Sequence, residues 1–312
     1  MSADVAVLMA AYNAEKTLRA AVDSILASTV PCDLYLVDDC SPVPAEQVIG
    51  RRDDVTIIRL PHNHGLAAAL NVGLEHILPR NYKYVARMDA DDVSYPHRFA
   101  IQIAFLERNP EVALVGSGAR FIDDRSGAMV MYYVPPLAQD DIRKALFFNN
   151  CFVHPTWMFR GEALPRLAPY SLDYPAAEDY EFLRRAISHA VVANVPDILV
   201  DYRISTGGIS VSKRQRQLLD RLALQVKYLE PTQWRAWAGM AKTLLLFAIP
   251  RVLVTTLKAE WRSWHPQSGL VGGPGATSDT GPRAHEPDGT DDRPTDGPAM
   301  RMMLRHRSGG QR

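Results

Sequence analysis

Asp89, Asp91 and Asp92 place three carboxylates within four positions, directly after Tyr84-Val85-Ala86-Arg87-Met88. Carboxylates this close repel one another unless a cation or protons neutralise them. Oxygen ligands of this kind suit Mg²⁺ or Mn²⁺, ions that commonly bridge protein carboxylates and substrate phosphates. If the preceding run is a buried strand, the acids stand at its carboxyl end, where open α/β sheets hold ligands. The spacing therefore points to a divalent-metal and diphosphate site at Asp89 and Asp91. The competing reading is a solvated acidic loop. A second acid pair, Glu178-Asp179, opens a helical pattern in which Tyr180, Leu183 and Ile187 would face inward.

Positioning such acids requires a sheet, and the first 90 residues read as one. Val5 to Ala11 is a continuous apolar run of the kind expected for a buried parallel strand. Tyr12-Asn13 ends it, and Asn13 can cap the helix carrying Leu18, Val22, Ile25 and Leu26. Leu34–Val37, Val55–Leu60 and Tyr84–Met88 are further strands, with a helical stripe from Leu66 to Leu78 closed by Pro79. Strands alternating with helices imply right-handed βαβ units and a mostly parallel sheet. Parallel strands share a direction, so the loops at Tyr12, Asp39, Asn63 and Asp89/Asp91 gather along one edge. Further on, the pattern gives a helix ending near Asn109-Pro110 and a strand at Val112–Val115. A hairpin about Asp124–Gly127, a helix over Asp140–Phe148 and a last strand within Val191–Tyr202 follow.

The chain has 312 residues, 47% hydrophobic and 22% charged, and its formal net charge is zero. That composition is ordinary for a globular protein and supplies no electrostatic argument for a nucleic-acid partner. Cys32, Cys40 and Cys151 lack metal-ligand spacing and read as reduced thiols. No basic region precedes the short apolar run Val5–Met9, so the expectation is a cytoplasmic protein, at most at the inner face of the membrane.

Taken in order, Ala10-Ala11-Tyr12-Asn13, Val37-Asp38-Asp39-Cys40-Ser41, Asn63-His64-Gly65-Leu66, Asp89-Ala90-Asp91, His154-Pro155 and Glu178-Asp179 resemble the family 2 glycosyltransferases with the GT-A fold. The resemblance covers roughly residues 4 to 210. It departs from the family at Cys40, where Gly is usual, and at Leu70, where Arg often stands as a diphosphate contact. It implies an inverting, metal-dependent enzyme on an α/β, Rossmann-like, mostly parallel mixed sheet flanked by helices. Its donor would be a nucleotide-diphosphate sugar, with UDP favoured, and its acceptor a glycan or lipid-linked sugar of cell-surface polysaccharide or glycolipid assembly.

By the same resemblance, Asp39 would accept a hydrogen bond from the base, with Tyr12 packing beside it, Ala11 bordering the pocket and Asn63 approaching the nucleotide. Asp91 and Asp89 would hold Mg²⁺ or Mn²⁺, or Asp89 would contact the ribose. Arg203 would close over the diphosphate in a loop freed by Gly207-Gly208, where Ser205 replaces a frequent metal-binding His. Asp179 would be the general base, with Glu178 as the alternative. Structural readings stand beside each assignment: a turn-forming Asp39 and Asn63, a core Tyr12, a satisfied His154, and helix-start acids at 178 and 179.

The proposed domains are 1–212 catalytic, 213–264 a helical extension and 265–312 a disordered tail rich in Gly, Pro and Asp. In the extension Leu218, Leu219, Leu222 and Val226 form one stripe. Trp234, Trp237, Trp261 and Trp264 with nearby Arg and Lys suit either a membrane-surface contact through 232–264 or a helical pair packed on the domain. A sugar nucleotidyltransferase and a nicotinamide enzyme are disfavoured, because neither Gly-rich turn is present. A non-catalytic nucleotide-sugar binding module is the remaining alternative.

Overall fold

Strand β1 (Val5–Ala11) is buried along its whole length and lies inside the sheet of the computed structural model, which describes residues 3–204 and 214–248. It pairs in parallel with β2 (Cys32–Asp38) on one side and β4 (Tyr84–Asp89) on the other, and β3 (Val55–Arg59) extends the parallel set beyond β2. Past β4 the sheet becomes mixed. β8 (Met158–Arg160) runs antiparallel to β4, and β6 (Val112–Asp123) antiparallel to β8. β9 (Val191–Ile204) runs parallel to β6, while β5 (Val93–Ser94) and β7 (Met129–Tyr133) pair antiparallel with β9 and β6. The full order is β3-β2-β1-β4-β8-β6-β9-β5, with β7 beside β6.

Alternation along β4 decides which side chains reach which layer. Ala86 and Met88 point into a core shared with α1 (Leu18–Leu26), α2 (Ala45–Ile49) and α4 (Arg98–Arg108). Val85 points into the opposite core, built with α3 (Leu66–Ile77), α5 (Gln139–Leu146), α6 (Leu164–Leu167) and α7 (Glu178–Ala186). Arg87 and Asp89 share Val85's face, so they stand under α7. Tyr180, Leu183 and Ile187 of that helical segment are buried as the periodicity requires.

Two local expectations are corrected. Asn13 does not cap α1, which starts at Leu18 after Thr17. Asn13 is left-handed (φ 56°) and its backbone N–H donates to Ser41 Oγ at 3.2 Å, tying the β1 loop to the β2 loop. In α8 (Arg214–Lys227) the proposed stripe is not the inner face, since Leu219 and Val226 are exposed. Leu218 and Leu224 face inward together with Asp220 and Gln225. Those two polar residues hold the helix to the rest of the fold, Asp220 Oδ2 accepting the Ala176 N–H at 3.1 Å and Gln225 Nε2 donating to Phe147 O at 2.9 Å. α9 (Trp234–Ala248) packs Ala236, Gly239 and Thr243 inward. Ser205, Gly207-Gly208, residues 249–264 and the tail from 265 lie outside the described residues.

Candidate functional site

At the end of β4 the structure gathers Asp89, Asp91 and Asp92, each offering a carboxylate oxygen within 4.8 Å of the others. Burial and the charge of Asp89 push Asp91 up to about 6, and burial with Asp89 and Asp91 pushes Asp92 well above the usual range. One oxygen of Asp92 accepts the Arg203 N–H at 2.7 Å, and the other is buried without a partner among the described residues. An all-oxygen cluster with an unpartnered carboxylate oxygen fits a hard divalent cation. Asp92 therefore joins the predicted Asp89 and Asp91.

Two arginines border this cluster. Arg203 comes from the far end of β9, carried there by the β5–β9 pairing, and its Nε donates to Asp91 O at 2.8 Å. Arg87 is almost fully buried and its Nη2 pairs with Asp89 Oδ1, while Nε and Nη1 have no partner among the described residues. Its charge also opposes the upward pKa shift of Glu178 and Asp179. One arginine inside an apolar strand carries no motif, so Arg87 is not evident from sequence pattern. The signal available was its two-residue spacing from Asp89, which puts both on one face.

At the end of β2, Asp39 is buried and fixes the loop that follows β3. Its Oδ2 accepts from Asn63 Nδ2 (2.9 Å) and Gly65 N (2.9 Å), and its Oδ1 accepts from His64 N (2.8 Å). A carboxylate offers about four acceptor positions, so Oδ1 keeps one for a ligand N–H. Asn63 is thus tied to Asp39. Ala11 O accepts the Asp39 N–H at 2.9 Å, joining β1 to this loop, and Tyr12 beside it is 55% exposed, which removes the core-aromatic reading. Neighbouring Asp38 is structural. Its oxygens accept from Ser41 N, Ala45 N and Arg59, and although burial raises its pKa, those donors leave it lowered. Cys40 is left-handed (φ 61°), which explains why Gly is usual there. Leu70, where the family often has Arg, is fully buried, and Asn71 instead exchanges two hydrogen bonds with the Tyr170 backbone.

Glu178 and Asp179 form the first turn of α7, facing the β4 edge. Burial and the charge of Asp179 push Glu178 up to about 8. Burial also raises Asp179, but hydrogen bonds from Asn150 Nδ2 (2.7 Å) and Tyr180 N (2.6 Å) oppose the rise. His154 is a satisfied interior residue: Nε2 meets Tyr170 Oη at 3.0 Å, and burial with Arg87's charge holds its pKa well below the ordinary histidine value. Glu181 anchors the extension by accepting from Tyr228 Oη (3.2 Å) and pairing with Lys227, and it also pairs with Arg185 on its own helix.

Residues 6–167 match the model of glycosyl transferase family 2. The amylovoran biosynthesis glycosyltransferase AmsE of Erwinia amylovora is 32% identical over 217 residues, covering 67% of this chain and 79% of AmsE. Among solved structures, Staphylococcus aureus TarS 1–349 in complex with UDP-GlcNAc superposes with a TM-score of 0.61 at 18% identity, over 85% of this chain and 78% of the other. The mannosyltransferase PcManGT of Pyrobaculum calidifontis, in complex with GDP-Man and Mn²⁺, gives a TM-score of 0.56 at 18% identity, over 85% and 82%. The shared fold is GT-A. With Asp39, the Asp89–Asp92 cluster and the α7 pair Glu178–Asp179 gathered at one edge of the mixed sheet, and a match to the family model over half its length, the chain belongs to glycosyltransferase family 2.

Proposed function

We propose that this glycosyltransferase moves a sugar, with inversion, from a nucleoside-diphosphate sugar to a hydroxyl of a glycan or lipid-linked acceptor in cell-surface polysaccharide or glycolipid assembly, with UDP as the favoured nucleotide. The observation carrying this reading is the pairing of two carboxylate groups on one sheet edge, Asp89–Asp92 and Glu178–Asp179, with buried Arg87 between them. The relatives support it: AmsE is an amylovoran biosynthesis enzyme, and TarS binds UDP-GlcNAc.

Asp91 and Asp89, with Asp92 behind them, would hold Mg²⁺ or Mn²⁺. An ion held there would supply Lewis-acid neutralisation of the charge on the departing diphosphate. Asp39 and the exposed Tyr12 bind the base, and Arg203 holds the metal loop through Asp91 O and Asp92. Asp179 takes the proton of the acceptor hydroxyl as that oxygen bonds to the anomeric carbon. The bond from the anomeric carbon to the diphosphate breaks in the same displacement, its electron pair leaving with the nucleotide, and a single displacement inverts the centre. Asp179→Asn should abolish transfer and keep donor binding. Transfer at the normal rate in this variant would remove Asp179 from the role, and donor binding without turnover in the native chain would favour the binding-module alternative.

Contact with a membrane surface is proposed for the extension. Trp234, Trp237, Leu244 and Leu245 are all more than half exposed, and the helix that carries them has Arg235 and Lys242 and no acid. No helix among the described residues is long and apolar enough to cross a membrane, so the contact would be peripheral. Co-sedimentation with anionic vesicles that survives Trp234→Ser with Trp237→Ser would contradict it.

A further inference from the structure

Asn150 lies in the loop between α5 and the β8 strand, 29 residues before Asp179. Its amide is held at both ends. Asn150 Oδ1 accepts the Phe152 N–H at 2.9 Å, and Asn150 Nδ2 donates to Asp179 Oδ2 at 2.7 Å. A backbone N–H requires an acceptor and a carboxylate requires a donor, so the two contacts allow one orientation of the amide. The other oxygen, Oδ1, accepts the Tyr180 N–H at 2.6 Å. Each oxygen of Asp179 is thereby fixed by one donor and keeps lone-pair capacity for an incoming hydroxyl. Glu178 has no side-chain donor of this kind among the described residues. The loop is itself anchored, because Cys151 O accepts from Tyr133 Oη at 2.9 Å and Cys151 is buried.

We infer that Asn150 is a positioning residue of the transfer reaction: its amide turns the Asp179 carboxylate toward the acceptor and keeps that carboxylate, rather than Glu178, as the ionised proton acceptor. This rests on the general-base assignment made above. The groups facing Asp179 are Glu178 on its own helix, Arg87 and Asp89 from β4, Tyr170 from the preceding loop and Arg221 from α8. Glu178 and Asp89 disfavour the anion, and Arg87 and Arg221 favour it. Among the neutral donors of the described residues, Asn150 is the one that reaches Asp179 from another element through its side chain. The proton taken from the acceptor hydroxyl ends on Asp179, the acceptor oxygen bonds to the anomeric carbon, and the nucleoside diphosphate leaves with the electron pair. A carboxylate held at the attacking position works only if it is both ionised and correctly placed.

The test uses the full chain, saturating donor and metal, and kcat measured against pH for Asn150→Ala and the nearly isosteric Asn150→Asp. Asn150→Ala should lower kcat about 10- to 100-fold with the donor KM unchanged, and move the acidic limb of the profile to higher pH. Asn150→Asp replaces the donor with a like charge and should move the limb further in the same direction. Unchanged kcat and unchanged limb in both variants would overturn the inference. A raised donor KM with normal kcat would assign Asn150 to donor binding, and loss of nucleoside-diphosphate binding in both would assign it to the fold. Either result overturns the positioning role. A native chain that turns over no donor fails the parent reading instead, before either variant is compared.

Discussion

Arg87 and Asp89 stand two residues apart on one face of β4, and the buried guanidinium of the first closes on the carboxylate of the second. A buried ion pair is costly to form, yet removing one partner leaves the other charge uncompensated. Here the uncompensated charge would join Asp91, Asp92, Glu178 and Asp179, all of which are already raised. Arg87→Met should therefore destabilise the fold, by less than the roughly 3–5 kcal/mol of a fully buried pair because Asp89 keeps 23% of its side-chain surface exposed, read from urea unfolding, and Arg87→Lys should recover part of the loss. A variant within about 0.5 kcal/mol of the native protein, the range of ordinary surface substitutions, would show that the pair carries no such burden.

The elevated Glu178 gives stability a pH slope whose sign is fixed. An acid with a folded pKa near 8 and an ordinary unfolded value near 4.5 holds its proton more tightly when folded. Stability then falls as pH rises between those values. Below about pH 6.5, His154, kept neutral in the fold, acts in the opposite direction, because the unfolded state takes up its proton. Between pH 6.5 and 8 His154 no longer opposes, and Glu178 and the raised Asp92 act in the same direction. Metal-free protein should lose unfolding free energy across this range, and Glu178→Gln should make the slope shallower. A native protein equally stable at both ends would contradict the assignment.

Cys40 occupies a left-handed backbone position that costs a side-chain-bearing residue roughly 1–2 kcal/mol, partly offset in glycine by its greater unfolded-state entropy. Cys40→Gly should be neutral to stabilising by about 1 kcal/mol in thermal unfolding. Loss of stability would mean that the Cys40 Sγ contact with Pro61 O, at 3.5 Å, outweighs the strain.

Asp39 fixes residues 63–65 through three hydrogen bonds, on the side of the site proposed to take the nucleotide. Asp39→Ala should leave two backbone N–H groups unsatisfied, cost about 2–4 kcal/mol of stability and weaken nucleoside-diphosphate binding by calorimetry at least tenfold. Binding at native strength would place the base elsewhere.

Much of this site was legible because apolar strands β1, β2 and β4 end abruptly in polar residues, and parallel topology sends those ends to one edge. Asp39, Asp91 and Asp179 could be named from that alone with the family pattern. What escaped depends on pairings distant in sequence. Asp38 and Asp39 are adjacent acids, and only the fold shows Asp38 turned to Arg59 while Asp39 turns to residues 63–65. Asn150 acts through Asp179, 29 residues away, which no local pattern reveals, whereas Arg87 and Asp92 lie within three residues of Asp89 and gain meaning only once the facing of β4 is known. The α8 stripe misled because Asp220 and Gln225 face inward to satisfy Ala176 and Phe147 backbone groups, so hydrophobicity alone pointed to the wrong side.

The central claim is tested most directly by release of free nucleoside diphosphate from UDP-, GDP- and dTDP-sugars, with Mn²⁺, Mg²⁺ or EDTA, in the native chain and in Asp91→Ala. The site described here predicts metal-dependent release from one donor, abolished by EDTA and by Asp91→Ala. Release unaffected by EDTA and by the substitution, or a native chain that neither binds nor turns over any of these donors, would contradict it.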